Sequence, residues 1–255
     1  MKKILGVLFL IASLSMSLDI DMGCSCTNLG WLKYNELNQT SEGDMAKRLI
    51  LVAGNIGSGK TSLTERIGER LGWKMAYESV ADNPYLADFY ADMQSWSFHL
   101  QIFFLGHRAQ QHLDMWNDPR NAIIDRSIYE DAFIFARALN HLGNLNERDY
   151  QTYRKIYSMA VKTLPSPSLL VYLKAPVPVL IDRIRSRGRD IENGISPDYL
   201  KLLESYYADW IKNFDLCPVL TLKTDDLDFV HKAKHMDTVV DCINEKLAGK
   251  DEITF

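Results

Sequence analysis

The sequence predicts an α/β fold in which helices cover both faces of a five-stranded parallel sheet. Two observations support this fold class. Short apolar runs alternate with longer stretches of helical periodicity along most of the chain. One apolar run leads straight into a glycine-rich loop that is followed by an amphipathic helix. Hydrophobic residues make up 47% of the 255 residues, so the chain can bury a core of this kind.

Each element has its own signal in the chain. Apolar runs of four to six residues predict the strands, and apolar spacings of three and four predict the helices. The strands are predicted at 48–52, 73–77, 121–124, 168–173 and 219–222. The helices are predicted at about 62–71, 84–90, 95–116, 130–140, 147–162, 177–187, 198–214 and 236–247. Because parallel neighbours need a crossover connection, this alternation favours a wholly parallel sheet.

The glycine-rich loop matches the pattern G-x-x-x-x-G-K-[ST], with Gly54, Gly59, Lys60 and Thr61 at the fixed positions. The backbone N–H groups of such a loop and the positive end of the next helix point at one place, which makes an anion site. Lys60 adds a charge for the β- and γ-phosphates of ATP, and Thr61 adds a hydroxyl for Mg²⁺. The loop residues expected to bind ATP are Gly54, Asn55, Ile56, Gly57, Ser58, Gly59, Lys60, Thr61 and Ser62.

Charged residues follow the second and third strands, at the edge of the sheet where ligands of open α/β folds bind. Glu78 ends the second strand and is a candidate general base, or alternatively a cap of the next helix. Asp125 and Arg126 end the third strand. Asp125 is expected to hold Mg²⁺, directly or through water, and Arg126 to stabilise charge on a transferring phosphoryl group. A surface ion pair between these two residues is the alternative interpretation.

Four arginines lie within the seven residues 183–189. At helical spacing Arg183 and Arg187 share one face, and Arg185 and Arg189 share another. A basic helix end opposite a phosphate loop predicts an arginine-rich lid that closes over ATP, with one pair facing the triphosphate and the other pair in solvent. A solvated charged helix is the alternative.

The long predicted helix carries polar groups on an otherwise apolar face. Gln101, Phe104 and Arg108 fall at i, i+3 and i+7, so they lie on one side of the helix. A buried amide or guanidinium that is left unpaired costs about 1–3 kcal/mol. A planar ligand with donors and acceptors along its edge would pair both groups, so this helix is a candidate wall of a ligand site.

From Arg48 onward these motifs resemble the deoxyribonucleoside kinases, and the Asp-Asn-Pro-Tyr run at 82–85 is similar to bacterial deoxyadenosine and deoxyguanosine kinases. The resemblance implies a P-loop kinase fold and an enzyme of nucleotide salvage. Such an enzyme transfers the γ-phosphoryl group of ATP, with Mg²⁺, to the 5′-OH of a deoxyribonucleoside. Deoxyadenosine or deoxyguanosine is favoured as the substrate, and deoxycytidine is a further candidate.

The resemblance also implies roles at the sugar end of the nucleoside. Glu78 matches the base that takes the proton of the 5′-OH, and Arg126 belongs to a motif similar to [ED]-R-S beside the 5′-oxygen. Tyr90 and Glu192 match the residues that share the ribose 3′-OH. At the ATP end, Arg183, Arg187 and Arg189 match the lid arginines of the family, and residues 226–229 match, more loosely, the loop that holds the adenine of ATP.

Four further residues match those that recognise the nucleobase in the family. Gln101 matches the residue that makes paired hydrogen bonds to the base, and Phe135 matches the ring that stacks on it. Arg108 and Asp131 match a pair found in members that accept deoxycytidine or deoxypurines. This pair argues for a base whose edge carries amino or carbonyl groups, and against thymidine.

Other interpretations stay open at this point. A nucleoside monophosphate kinase, such as a thymidylate kinase, shares the phosphate loop and an Asp-Arg motif. A non-catalytic structural subunit on the same fold is a different class, and the retained Lys60, Thr61, Glu78 and Arg126 argue against it. The family resemblance also implies a homodimer formed through helices that flank the long helix.

The first 44 residues differ from the rest. Two lysines precede an apolar run over 4–18, as in an export signal, but acidic residues follow at once and no clear cleavage site is present. We therefore expect 1–44 to be a leader or an N-terminal extension, and 45–255 to form the kinase domain. An ATP-dependent enzyme belongs where ATP is found, so a cytoplasmic location is expected. Export, a lipoprotein, or a membrane anchor formed by the first 20 or so residues is the alternative interpretation. The net charge of −4 argues against nucleic acid as a partner.

Overall fold

The structure is a computed structural model that describes residues 47–77, 83–188, 194–225, 227–230 and 232–249. The predicted extension 1–44 lies outside the described residues. The strands are β1 (Leu49–Gly54), β2 (Lys74–Ala76), β3 (Ala122–Asp125), β4 (Leu169–Lys174) and β5 (Val219–Lys223). They form a five-stranded sheet in the order β2-β3-β1-β4-β5, and every strand pair is parallel. The predicted α/β fold with a parallel sheet is confirmed.

Helices connect the strands, as the alternating pattern predicts. They are α1 (Lys60–Leu71), α2 (Leu86–Ala91), α3 (Met93–Asn117), α4 (Ile128–Glu130), α5 (Arg137–His141), α6 (Glu147–Val161), α7 (Val177–Arg187), α8 (Pro197–Lys212) and α9 (Ala233–Leu247). One prediction needs correction, because the helix expected at 130–140 is not uniformly α-helical. A π-helical segment, Asp131–Ala136, joins α4 to α5.

β1 lies at the centre of the sheet, and its side chains alternate between two hydrophobic cores. Leu49 and Leu51 pack into a core on one face with residues of α3, α6 and α8. Ile50 and Val52 pack into a second core with residues of α1 and α9. Every residue of β1 is buried, as expected of a parallel strand that is covered on both faces.

The beginning of α2 differs from the sequence prediction for a local reason. The Asn83 side chain accepts a hydrogen bond from the backbone N–H of Tyr85 at 3.0 Å, which forms a turn ahead of the helix. The helix therefore begins at Leu86 instead of Pro84. α2 then packs against α3 in a smaller third core that includes Phe89 and Leu100. Within the described part of the chain, no helix combines the length and the apolar character that a membrane span requires.

Candidate active site

The glycine-rich loop lies between β1 and α1, at the carboxyl end of the central strand. Gly54 has a φ of 151°, and a Cβ there would lie 2.6 Å from the carbonyl oxygen of Leu173 on the neighbouring strand. Gly59 precedes the first residue of α1 with a left-handed φ of 97°. The chain can therefore turn directly from strand to helix, and the N-terminus of α1 faces the loop as an anion site requires.

Lys60 is buried, with only 7% of its surface exposed. Its Nζ donates hydrogen bonds to the carbonyl oxygens of Gly54, at 2.7 Å, and of Asn55, at 3.0 Å. These contacts hold the ammonium group of Lys60 against the loop and away from solvent. Its charge therefore lies beside the loop that the sequence predicts to bind the β- and γ-phosphates of ATP.

Thr61 and Asp125 meet at the end of two adjacent strands. The Thr61 hydroxyl donates to Asp125 Oδ2 at 2.6 Å, and Val52 of β1 lies opposite Asp125 of β3 in the sheet register. Asp125 is buried, and its Oδ1 atom has no hydrogen-bond partner among the described residues. One hydroxyl and one carboxylate, together with phosphate oxygens, form a donor set that suits Mg²⁺, which rarely uses an all-protein cage.

Arg126 has an unusual backbone conformation. Among the described residues, it is the only one other than glycine with a positive φ, at 69°. Its Nη1 donates to Glu130 Oε1 at 3.0 Å, and its guanidinium carbon lies 4.7 Å from the centre of the Phe135 ring. The left-handed backbone turns the chain at the end of β3, and the ion pair and the ring then hold the guanidinium beside the phosphate loop.

The predicted base-recognition residues lie next to this centre. Arg108 of α3 forms a buried ion pair with Asp131, with Nε 3.1 Å from Oδ2. Its Nη1 also donates to the backbone carbonyl of Asp125 at 3.2 Å. Gln101, on the same helix, is 1% exposed, and its Oε1 atom has no hydrogen-bond partner in the described part of the chain. Asp131 thus balances the Arg108 charge inside the protein, while the Gln101 amide can accept a hydrogen bond from a ligand.

The π-helical segment carries both Asp131 and Phe135, the two predicted nucleoside residues that follow β3. The wider turn of a π-helix shifts these side chains relative to a regular α-helix, and such turns occur often at functional sites. The sequence does not reveal this segment, because a π turn and an α-helix leave similar apolar patterns.

Tyr90 lies near the end of α2, where its ring meets the Phe89 ring edge to face with centres 5.3 Å apart. α2 packs against α3, so Tyr90 and Gln101 belong to the same pair of helices. Three predicted site residues lie outside the described residues and have no geometry to report. They are Glu78, Arg189 and Glu192.

Two of the predicted lid arginines line a cavity with the phosphate loop. The cavity has a volume of about 600 Å³ and is bordered by Gly57, Gly59, Arg183, Arg187 and Phe229, among other residues. Arg183 is held in place by hydrogen bonds to the side chain of Thr224, at 3.0 Å, and to its backbone carbonyl. Arg183 and Arg187 thus reach one cavity, as their helical spacing predicts.

Glu130 and Tyr207 occupy the centre of the site, although the sequence does not single them out. Ser127 and Glu130 have the S-x-x-E spacing of a helix capping box, and the Glu130 N–H does donate to the Ser127 hydroxyl at 3.3 Å. The carboxylate, however, accepts hydrogen bonds from Arg126 and from the hydroxyl of Tyr207. Burial raises the pKa of Glu130, against the opposing influence of Arg126, Lys60 and the Tyr207 hydroxyl.

A phosphate loop after the central strand, facing an aspartate and an arginine on the adjacent strand, defines a P-loop phosphotransferase. Comparison with known proteins gives the family. Residues 50–248 match the family described as deoxynucleoside kinase, and the chain belongs to it. The protein is therefore an enzyme that transfers a phosphoryl group to a deoxynucleoside.

Similar proteins come from several bacteria. The chain is 39% identical over 197 residues to a deoxyadenosine/deoxycytidine kinase of Bacillus subtilis, which covers 76% of this chain and 91% of that protein. It is 34% identical to a deoxyguanosine kinase of the same species, covering 77% of this chain and 96% of that one. A solved structure of deoxyadenosine kinase from M. mycoides with bound dATP aligns with a TM-score of 0.66 and 28% identity, covering 77% and 99% of the two chains.

Proposed function

We propose that this enzyme transfers the γ-phosphoryl group of ATP to the 5′-OH of deoxyadenosine or deoxyguanosine, with deoxycytidine as a further substrate. The buried Arg108–Asp131 pair carries this proposal. Arg108 contacts the backbone carbonyl of Asp125 and shares α3 with Gln101. The pair presents polar groups that suit a nucleobase whose edge carries amino or carbonyl groups. Named relatives that act on deoxyadenosine, deoxycytidine and deoxyguanosine support the same substrates.

The reaction is an in-line displacement in which the protein mainly positions groups and neutralises charge. Glu78 takes the proton of the 5′-OH. Lys60, Arg126 and the arginines of the lid stabilise the negative charge that spreads over the transferring group. The nucleoside is bound by Glu78, Tyr90, Gln101, Arg108, Arg126, Asp131, Phe135 and Glu192. ATP is bound by the phosphate loop, residues 54–62, with Arg183, Arg187 and Arg189.

Mg²⁺ would be held by the Thr61 hydroxyl and, directly or through water, by Asp125. The Oδ1 atom of Asp125 supports this assignment, because it is buried, has no hydrogen-bond partner among the described residues and is therefore suited to a cation. When bound, Mg²⁺ would supply charge neutralisation for the β- and γ-phosphates. The hydrogen bond between Thr61 and Asp125 also supports it, because the two side chains lie together.

The alternative of a nucleoside monophosphate kinase is not favoured, since the family and its named relatives act on nucleosides. A structural subunit is not favoured for the same reason.

We further propose that the kinase domain spans 45–255 and that the enzyme is cytoplasmic. Cell fractionation and N-terminal sequencing of the native protein test these two proposals, and an exported or membrane-bound enzyme would contradict the second.

Apolar side chains that are exposed on the described surface support the proposed homodimer. Phe133, on the π-helical segment, is 42% exposed, and Ile156 and Met159, on α6, are 41% and 70% exposed. Ile156 and Met159 are three residues apart, so they lie on the same side of α6. A second copy of the chain would cover these side chains.

The activity assay uses the full-length protein with ATP, Mg²⁺ and each of the four deoxynucleosides. Monophosphate from deoxyadenosine or deoxyguanosine is expected, and turnover of thymidine alone would contradict the role of Arg108 and Asp131. Lys60→Ala is the control and should abolish transfer.

Glu78→Gln should retain nucleoside binding and lower the rate by about 10²–10⁴-fold, the usual effect of losing a general base. Near-normal turnover of that variant would remove Glu78 from the mechanism.

A further inference from the structure

Glu130 is a fully buried carboxylate inside a site that has to bind anions. Its side chain is 0% exposed. A negative charge beside a phosphate loop weakens phosphate binding by simple repulsion. Removing a carboxylate from water is also unfavourable unless hydrogen bonds and opposite charges compensate for it. A stabilising role in the core therefore does not explain why an acid occupies this position.

Among the described residues, the hydrogen bonds of the Glu130 carboxylate go to groups of the phosphate centre. Its Oε1 atom accepts hydrogen bonds from Arg126 Nη1 at 3.0 Å and from the Tyr207 hydroxyl. The same oxygen lies 3.4 Å from the backbone nitrogen of Gly54, the first glycine of the loop. A single carboxylate oxygen thus joins the loop after β1, the arginine after β3 and a tyrosine of α8.

Tyr207 extends this network. Its hydroxyl also lies within hydrogen-bond distance of the Gly54 carbonyl oxygen, at 2.9 Å, and Lys60 donates to that same oxygen at 2.7 Å. Both backbone polar atoms of Gly54, its nitrogen and its carbonyl oxygen, therefore have contacts in this network. α8, the helix that carries Tyr207, follows the arginine-bearing α7 in the chain.

Arg126 needs such support because its conformation is intrinsically unfavourable. A left-handed backbone at a non-glycine residue persists only where the surroundings hold it. The Phe135 ring restricts the guanidinium from one side at 4.7 Å. Glu130 supplies a charged, directional hydrogen bond that orients the N–H groups of the Arg126 guanidinium.

We propose that Glu130 is a positioning residue that orients Arg126 and the first glycine of the phosphate loop for phosphoryl transfer. This inference rests on the proposed function of Arg126. Glu130 itself does not touch the reacting atoms. It acts through the arginine, and its loss should slow the chemical step more than it weakens substrate binding.

Kinetics of four proteins test the proposal: the wild type, Glu130→Gln, Arg126→Gln and the double variant. Glu130→Gln keeps the side-chain volume and removes the charge. It should lower kcat by about 10–100-fold, the effect of a misplacement near 1 Å, while the KM values for ATP and nucleoside change by less than about 3-fold. In the Arg126→Gln background the same substitution should lower kcat by less than about 3-fold, because the residue through which it acts is gone.

A purely structural role predicts something else, namely that Glu130→Gln slows both backgrounds by the same factor; that result would overturn the proposal. Glu147→Gln is the matched control. Glu147 lies on α6, and its carboxylate accepts hydrogen bonds from Asn140 at 3.2 Å and from Gln151 at 2.6 Å, neither of which belongs to the proposed site. Its replacement should leave kcat within about 3-fold of the wild type. Glu130→Asp, which keeps the charge but shortens its reach, replaces Glu130→Gln if that variant does not fold.

Crystal structures of the wild type and Glu130→Gln give a readout that does not depend on activity. The Arg126 guanidinium should leave the Phe135 ring, moving from 4.7 Å to beyond the limit of about 6 Å for a cation–π contact. An unchanged Arg126 in the variant would overturn the proposal. A wild-type protein that phosphorylates no nucleoside would refute the proposed function, and the structural comparison would still decide the role of Glu130.

Discussion

At the scale of single residues, the site combines groups that each depend on a neighbour. Arg126 adopts a conformation that costs a non-glycine residue about 1–3 kcal/mol, and Glu130 and Phe135 hold its side chain. Arg108 is buried with its charge balanced by Asp131. We therefore expect a change in one member of such a pair to be tolerated poorly unless the other changes with it.

The Arg108–Asp131 pair gives a direct prediction for stability. Asp131→Asn removes the carboxylate from a buried ion pair, so the free energy of unfolding should fall by about 3–5 kcal/mol. The matched control is Asp209→Asn. It breaks an exposed pair, in which Arg137 Nη2 lies 3.2 Å from Asp209 Oδ2, and should cost less than about 1 kcal/mol. Urea unfolding of the wild type and the two variants measures both losses of stability. Equal losses in the two variants would show that burial does not determine how much the Arg108–Asp131 pair contributes.

Sequence analysis alone finds only some of the residues that meet in this candidate site. Lys60, Thr61, Asp125 and Arg126 could be predicted because a short motif and the end of a strand place them. Glu130 could not, because its spacing from Ser127 matches an ordinary capping box. Its contacts with Gly54 and Tyr207 join segments far apart in the chain, and no local pattern encodes them.

At the scale of elements, the helices and strands follow local periodicity, and most bounds agree with the sequence within a few residues. One exception has a tertiary cause. The π-helical segment at Asp131–Ala136 carries a buried ion pair and packs against neighbouring helices, and these contacts select a wider turn that the apolar pattern does not encode. The short β2 ends at Ala76, before the predicted residue 77.

The passage from β1 into the phosphate loop gives a prediction at this scale. Gly54→Ala places a Cβ 2.6 Å from the Leu173 carbonyl oxygen, at a φ of 151° that side chains rarely adopt. The free energy of unfolding should fall by about 3 kcal/mol, and activity should fall as the loop shifts. Gly106→Ala is the matched control, because a Cβ there has no atom within 4 Å. The free energy of unfolding of Gly106→Ala should rise by about 0.5–1 kcal/mol. An unchanged melting temperature for Gly54→Ala would contradict the close approach of the strands.

At the scale of the whole molecule, the exposed side chains of Phe133, Ile156 and Met159 predict how copies associate. Met159→Glu puts a charge into the proposed contact between two chains, so it should shift the enzyme from dimer to monomer. Sedimentation velocity of the wild type and the variant measures this shift. Arg154→Glu, an exposed change on the other side of the same helix, serves as the control for added negative charge. A monomeric wild type would rule out the homodimer.

Whole-molecule stability should depend on pH through His112. Burial lowers the pKa of His112, and its Nε2 lies 2.8 Å from the Pro165 carbonyl oxygen. Below the ordinary histidine pKa of about 6.5, the unfolded chain takes up a proton that the folded protein resists. Stability should therefore fall as the pH drops from about 6.5 to 5, with a slope of at most about 1.4 kcal/mol per pH unit from this group.

His112→Gln isolates this effect, because the glutamine amide can still donate to the Pro165 carbonyl but does not titrate. The variant should lose less stability than the wild type over the same pH interval, as measured by urea unfolding. His99→Gln controls for the replacement of an exposed histidine. Parallel pH profiles for the wild type and His112→Gln would contradict the prediction.

The register between Val52 and Asp125 has a consequence for motion as well as for geometry. The two strands that carry the phosphate centre belong to the middle of the sheet, so their amides should exchange with solvent only when the whole domain opens. Tyr90 belongs instead to α2, which packs in a smaller core against α3. We therefore expect α2 to open on its own, so that the nucleoside can enter and leave while the phosphate end of the enzyme stays rigid.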